Sequence, residues 1–145
     1  MDVGVRKHRP TRVESLFTVV LEGRRGMLAA LAWCLADAGV HVTGICQSTE
    51  AGIAVVRILV DDAARTRDTL RSRGYPCFED RAIVVHDGDG PANLARMTDR
   101  LAMSGVHIAH AWGLSSKPGT ESILVLQVDD IDRALEASRA EIETT

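Results

Sequence analysis

With 145 residues, 46% of them apolar and 26% charged, the chain lies outside the low-hydrophobicity, high-charge range in which chains stay disordered. The net charge of −3 divides into +3 over the first twelve residues (Arg6, Lys7, Arg9 and Arg12 against Asp2) and −6 over the rest. A basic leader of this kind could touch nucleic acid, but four cations without a basic, aromatic-bearing surface elsewhere give it weak support, and nucleic acid is not the expected partner. No run reaches the ~18 apolar residues of a membrane span and the start lacks a secretory apolar core, so no membrane partner is expected and the expected location is the cytoplasm.

The first apolar segment, Leu16 to Glu22, is β-branched and short, and reads as a buried strand. After the turn GRRG, Leu28, Leu31 and Leu35 take up helical spacing as far as Ala38-Gly39, where glycine serves as a stop. A second strand is expected from Val40 in VHVTGICQS, a turn at Glu50-Ala51-Gly52, and a third strand in IAVVRILV ending at Val60. Asp61-Asp62 then supply N-cap chemistry for a helix through Leu70, closed by Gly74. A closing strand at Pro76 to Glu79 leads almost directly into the next, Ala82 to Asp87. There follow a turn GDGP, a helix from Ala92 to Ser104 stopped at Gly105, a strand VHIAHAWGLS, a turn SKPGTE, a strand SILVLQV, and Asp129-Asp130 opening a last helix.

The second half thus repeats the order of the first. GMLAALAWCLADAGVHV, residues 26–42, aligns with ANLARMTDRLAMSGVHI, residues 92–108, at seven of seventeen positions, 66 residues apart. The Val-Asp-Asp triplets at 60–62 and 128–130 are 68 apart, which assigns two extra residues to the second strand-strand turn. Strand, helix, strand, strand, helix with a closing strand is the βαββαβ arrangement of ferredoxin-like folds. The expected fold is therefore α+β: two ferredoxin-like βαββαβ modules in tandem, with side-by-side antiparallel sheets and helices on one face. The expected divisions are a basic flexible tail at 1–14, module 1 at 15–80 and module 2 at 81–145, the last with a closing strand short or absent.

This arrangement resembles tandem ACT domains, small regulatory modules that bind amino acids. The resemblance rests on a first turn of the form Asp-Arg-Pro-Gly-x-Leu and a helix ending Ala-Gly-Val-Asn-Ile. The first copy has Gly23-Arg24-Arg25-Gly26-Met27-Leu28 and Ala38-Gly39-Val40-His41-Val42; the second has Asp89-Gly90-Pro91-Ala92-Asn93-Leu94 and Ser104-Gly105-Val106-His107-Ile108. The first keeps Arg24 and Gly26 but not the Asp and Pro, and the second keeps Asp89 and Pro91 but has Ala92 in place of the glycine. The resemblance implies a ligand site at the first turn of one module facing the second strand of its neighbour. It nominates Glu22, Gly23, Arg24, Arg25, Gly26, Met27, Gln47 and Ser48 on one side, and Asp89, Gly90, Asn93, His110 and Trp112 on the other.

Free amides at a helix start, backed by the helix dipole, suit a carboxylate, and glycine lets a ligand approach the main chain. The blander reading is that Gly23 and Gly26 merely turn the chain and that Arg24 and Arg25 are solvated. His110 and Trp112 alternate onto one strand face where the first copy has Gly44 and Cys46, so the two copies differ there; Trp112 also fits a packing or subunit contact.

No metal site is expected, because His107 and His110 lack partners at ligand spacing, and no cofactor, because Gly88-Asp89-Gly90 lacks the rest of a phosphate or dinucleotide motif. Cys34, Cys46 and Cys77 read as free thiols. No ordered Ser, His and acid constellation marks a catalytic centre, so no catalytic residue is assigned. Helix one runs from Met27 to Ala36 without a charge, and its outer face around Trp33 is expected to pack in a homodimer. The reading is a stand-alone sensor of a small amino acid or analogue that acts on a regulated enzyme in trans. The alternatives are an ACT-like scaffold recruited as an enzyme on an amino-acid-like substrate, and a pure interaction module.

Overall fold

The computed structural model describes residues 11–87, 93–115 and 122–139. Among them are six strands and four helices: β1 (Arg12–Glu22), α1 (Met27–Asp37), β2 (Val42–Glu50), β3 (Ile53–Val60), α2 (Ala63–Ser72), β4 (Cys77–Asp87), α3 (Asn93–Met103), β5 (Ile108–Ser115), β6 (Ser122–Val128) and α4 (Ile131–Arg139). The chain divides into two compact units, Glu14–Arg81 and the residues from Ala82 onward together with those up to Val13.

In the Glu14–Arg81 unit β3 pairs antiparallel with both β1 and β2. β1 is tied on its other side to the approach to β4, the Val20 amide donating to the Pro76 carbonyl at 3.1 Å. Alternation along β1 sends Phe17, Val19 and Leu21 to one face, where they join Val56, Ile58 and Val60 of β3, Leu31 and Leu35 of α1 and Leu70 of α2 in one core. Both helices therefore cover the same sheet face. Burial of each such side chain contributes about 1.5–3 kcal/mol.

In the other unit β6 pairs antiparallel with β4 and β5. Its core takes Ile83 and Val85 from β4, Leu126 and Val128 from β6, Met97 and Leu101 from α3, and Ala134 and Ala137 from α4.

Several boundaries differ from expectation for identifiable reasons. β1 begins at Arg12, four residues before the apolar run, and its half-exposed start is held by side chains: Arg12 Nη1 lies 2.8 Å from His86 Nε2, and Glu14 accepts from Thr43 Oγ1 at 3.2 Å. β2 and β5 begin two residues later than Val40 and Val106. Those amides are occupied in closing the preceding helices, donating to the Leu35 and Leu101 carbonyls at 3.0 and 2.9 Å.

The expected strands at Pro76–Glu79 and Ala82–Asp87 are one strand, β4, because Asp80 and Arg81 continue it without a turn. The paired aspartates divide their work. Asp62 caps α2, its Oδ1 accepting from the Arg65 amide at 3.0 Å, while Asp61 Oδ1 accepts from the His41 amide at 3.1 Å. Asp130 and Asp129 do the same for the amides of Arg133 and His107, at 3.0 and 2.9 Å. The turns GDGP and SKPGTE and the expected closing segment at 141–145 lie outside the described residues.

Candidate functional site

The turn between β1 and α1 is built on two different requirements for glycine. Gly23 is fixed by proximity: its amide donates to the Gly52 carbonyl at 2.8 Å, and a Cβ there would stand 2.8 Å from the Gly52 carbonyl carbon and 2.9 Å from Thr49 Cγ2. Gly26 is fixed by conformation. It precedes α1 with φ at 86°, a left-handed value, and has open space around its Cα.

The start of α1 lacks both a side-chain cap and an acid in the first turn. Its first hydrogen bonds are a long contact from the Met27 amide to the Arg24 carbonyl at 3.4 Å and the regular Ala30 amide to the Gly26 carbonyl at 3.0 Å. Among the described residues no group accepts from the amides of Leu28 or Ala29. These donors carry the positive end of the helix dipole.

The turn borders a cleft of about 340 Å³ inside the Glu14–Arg81 unit. Its rim is the turn itself, from Glu22 to Gly26. Its helix wall is Met27, Leu28 and Ala29, its strand wall Gln47 and Thr49 of β2, and its floor Leu21 of β1 and Ala54 of β3. The antiparallel register explains this set. Thr49 pairs with Ala54 and Ala54 with Leu21, so the three form one row across the sheet, on the face that carries the helices. Gln47, opposite Val56, heads the next row on the same face, and its Nε2 donates to Thr49 Oγ1 at 3.4 Å.

Charge in the cleft is confined to the rim. Arg24 Nε donates to Glu22 Oε2 at 2.6 Å, an exposed pair whose charges offset one another. Arg25 has no hydrogen bond or ion pair among the described residues. Arg25 and the uncapped amides together give the rim a positive character suited to a carboxylate or similar anion. Among the described residues the lining holds neither His nor Cys, and its one side-chain hydroxyl, on Thr49, accepts from Gln47 Nε2. The arrangement is equipped to hold a small polar molecule, and among the described residues of its lining no nucleophile is paired with a base.

Of the nominated residues, Glu22, Gly23, Arg24, Arg25, Gly26, Met27 and Gln47 all border this cleft. Ser48 does not, since it pairs with Val55 on the opposite sheet face; one residue along a strand reverses the side chain. His110 and Trp112 belong to β5 of the other unit, opposite Gln127 and Val125. Asp89 and Gly90 lie outside the described residues, and Asn93 opens α3. Sequence reading did not nominate Leu21, Leu28, Ala29, Thr49 or Ala54. The pairing of β1, β2 and β3 brings in three of these, and the hairpin turn at Ala51-Gly52 was the signal from which that register could have been counted.

Elsewhere, no three His, Cys, Asp or Glu side chains gather as a metal ligand set among the described residues. No helix among them is long and apolar enough to cross a membrane. Trp33, on the outward face of α1, is 70% exposed.

No protein-family model and no curated protein sequence matches the chain. Solved structures do. Protein BT0572 from Bacteroides thetaiotaomicron is similar with a TM-score of 0.81 at 17% identity, over 91% of this chain and 90% of that one. The ligand-free regulatory subunit of aspartate kinase from Thermus thermophilus is similar with a TM-score of 0.67 at 15% identity, over 94% and 99% of the two chains. The corresponding subunit from Thermus flavus gives 0.59 at 17% identity, over 94% and 99%. At these identities the likeness establishes the fold: an α+β arrangement of antiparallel strands and helices shared with regulatory subunits.

Proposed function

We propose that the chain is a tandem ACT regulatory protein whose cleft at Gly23–Gly26 binds a free amino acid, and which passes occupancy to an enzyme in trans. The observation that carries this reading is the pairing, in one cleft, of an uncapped helix start beside Arg25 with an apolar floor at Leu21 and Ala54. An α-carboxylate matches the first, Glu22 at the same rim offers an acceptor for the ammonium group, and the floor takes the side chain.

The tandem reading is supported by the element order of the two units and by their matching aspartate pairs, Asp61-Asp62 and Asp129-Asp130. Action in trans is supported by the likeness to regulatory subunits of aspartate kinase over 99% of their length. The exposed face of α1 around Trp33, which carries no charge before Asp37 at its end, is assigned to a homodimer contact.

Thermal denaturation across the free amino acids tests the binding reading. A ligand present at about 100 times its dissociation constant adds about 2.7 kcal/mol of stability. At least one amino acid is expected to raise the transition and to be recovered unchanged after incubation. A flat response to all of them rejects the reading, and turnover of the ligand favours an enzyme.

A further inference from the structure

Ala54 is the one small residue among the helix-side positions of β3. The others on that face, Val56, Ile58 and Val60, are β-branched and between 0% and 5% exposed, and they fill the space under the helices. Ala54 is equally buried, at 3%, yet borders the cleft, because a methyl group stops short of the space that a valine or isoleucine occupies one row away. The row Thr49, Ala54, Leu21 is therefore a recess in an otherwise filled sheet face, open toward the turn.

Charge is distributed unevenly along the cleft. Glu22, Arg24 and Arg25 all stand at the turn, whereas the walls and floor beyond them are Leu21, Leu28, Ala54 and the neutral Gln47 and Thr49. A ligand held by its carboxylate at the turn would lower its side chain into the recess. A charged side chain there would be stripped of water with no counter-charge, which is strongly unfavourable. An aliphatic side chain would gain about fourfold in affinity for each carbon buried.

Resting on the reading of this cleft as an amino-acid site, we infer that it selects uncharged, aliphatic amino acids, and that Ala54 sets the size of side chain it accepts. The inference reaches beyond binding as such to a specificity-determining residue on a strand, outside the turn that carries the carboxylate contacts.

The test is a titration of the full chain with glycine, alanine, valine, isoleucine, aspartate and lysine, followed by calorimetry and by thermal denaturation, for wild type, Ala54→Val and Ala54→Gly. In the wild type valine or isoleucine is expected to bind at least tenfold more tightly than glycine, with aspartate and lysine weaker still. In Ala54→Val the branched ligands should lose at least tenfold while alanine and glycine lose less than threefold. Ala54→Gly should shift the preference toward the larger side chain. If Ala54→Val fails to fold, as its ligand-free melting would reveal, the glycine variant decides alone.

Tightest binding by aspartate or lysine, or equal losses for all ligands on enlarging residue 54, overturns the inference while leaving the amino-acid site standing. Binding of no amino acid at all removes the site, and the inference with it.

Discussion

Two glycines three residues apart in the cleft's rim should respond very differently to the same methyl group. In Gly23→Ala the new Cβ falls 2.8 Å from the Gly52 carbonyl carbon, 2.9 Å from Thr49 Cγ2 and 3.0 Å from the Gly52 oxygen, and two of those three atoms are backbone. Backbone cannot rotate aside, so the β1 end or the β2–β3 turn must move, and the 2.8 Å hydrogen bond between the Gly23 amide and the Gly52 carbonyl is stretched or lost. Overpacking of this kind costs about 1–3 kcal/mol, and the hydrogen bond adds about 1.

Gly26→Ala meets no atom within 4 Å; its cost arises from φ at 86°. A left-handed conformation costs an L residue about 1–2 kcal/mol, offset in part by about 0.4–1 from the reduced freedom of the unfolded chain. The same offset applies to Gly23→Ala, so the expected losses in urea denaturation are about 1–3.6 kcal/mol for Gly23→Ala and about 0–1.6 for Gly26→Ala. Equal losses, or the reverse order, would show that conformation and not close approach governs this turn, and would refute the argument.

The hairpin that Gly23 touches offers a gain in the other direction. Its two-residue loop, Ala51-Gly52, has φ of 51° and 75°, and Ala51 is the only non-glycine residue with positive φ among those described. Asn, which tolerates that conformation, should stabilise the chain by about 1 kcal/mol in Ala51→Asn, measured by the same denaturation. Glu79 accepts two 2.6 Å hydrogen bonds from Arg67, and these hold its carboxyl below the ordinary glutamate value. The pair's contribution is therefore complete above about pH 4.3 and is lost as pH falls through the lowered folded value; Glu79→Gln should flatten that acid limb in denaturation curves from pH 6 to pH 2. Trp33→Glu should convert a dimer to a monomer in size-exclusion chromatography, and an unchanged elution volume would reject the α1 contact.

Periodicity carries the fold because each element has a single strong pattern. Leu28, Leu31 and Leu35 state α1, IAVVRILV states β3, and Gly39, Gly74 and Gly105 mark where helices close. Ends governed by single hydrogen bonds are less readable. Arg12 to Ser15, polar apart from the exposed Val13, extends β1 through contacts with His86 and Thr43, which no local pattern announces. The site divides along the same line. Its rim is contiguous in sequence and carries a chemistry of its own, glycines and arginines before a helix, whereas its floor is assembled across three strands. Ala54 is one alanine in an apolar run until the register sets it beside Thr49 and Leu21. Ser48 fails for the same reason, since nomination by segment ignores the alternation that turns it to the other face.

The treatment of helix starts within this one chain supplies an internal contrast. α2 and α4 each open at an aspartate, Asp62 and Asp130, whose carboxylate takes the amide three residues on and lies near the arginine that supplies it, at 3.6 and 3.8 Å. An anion at a helix start, with a cation beside it, is thus a feature the chain builds twice from its own side chains. At α1 the cation is present in Arg25 and the amides of Leu28 and Ala29 have no acceptor among the described residues, while Gly26 occupies the capping position and has no side chain to bring. A carboxylate from a bound molecule would complete at α1 what Asp62 and Asp130 complete elsewhere. The recess at Ala54 lies within the same cleft, so a molecule held there by its carboxylate has room for the side chain as well.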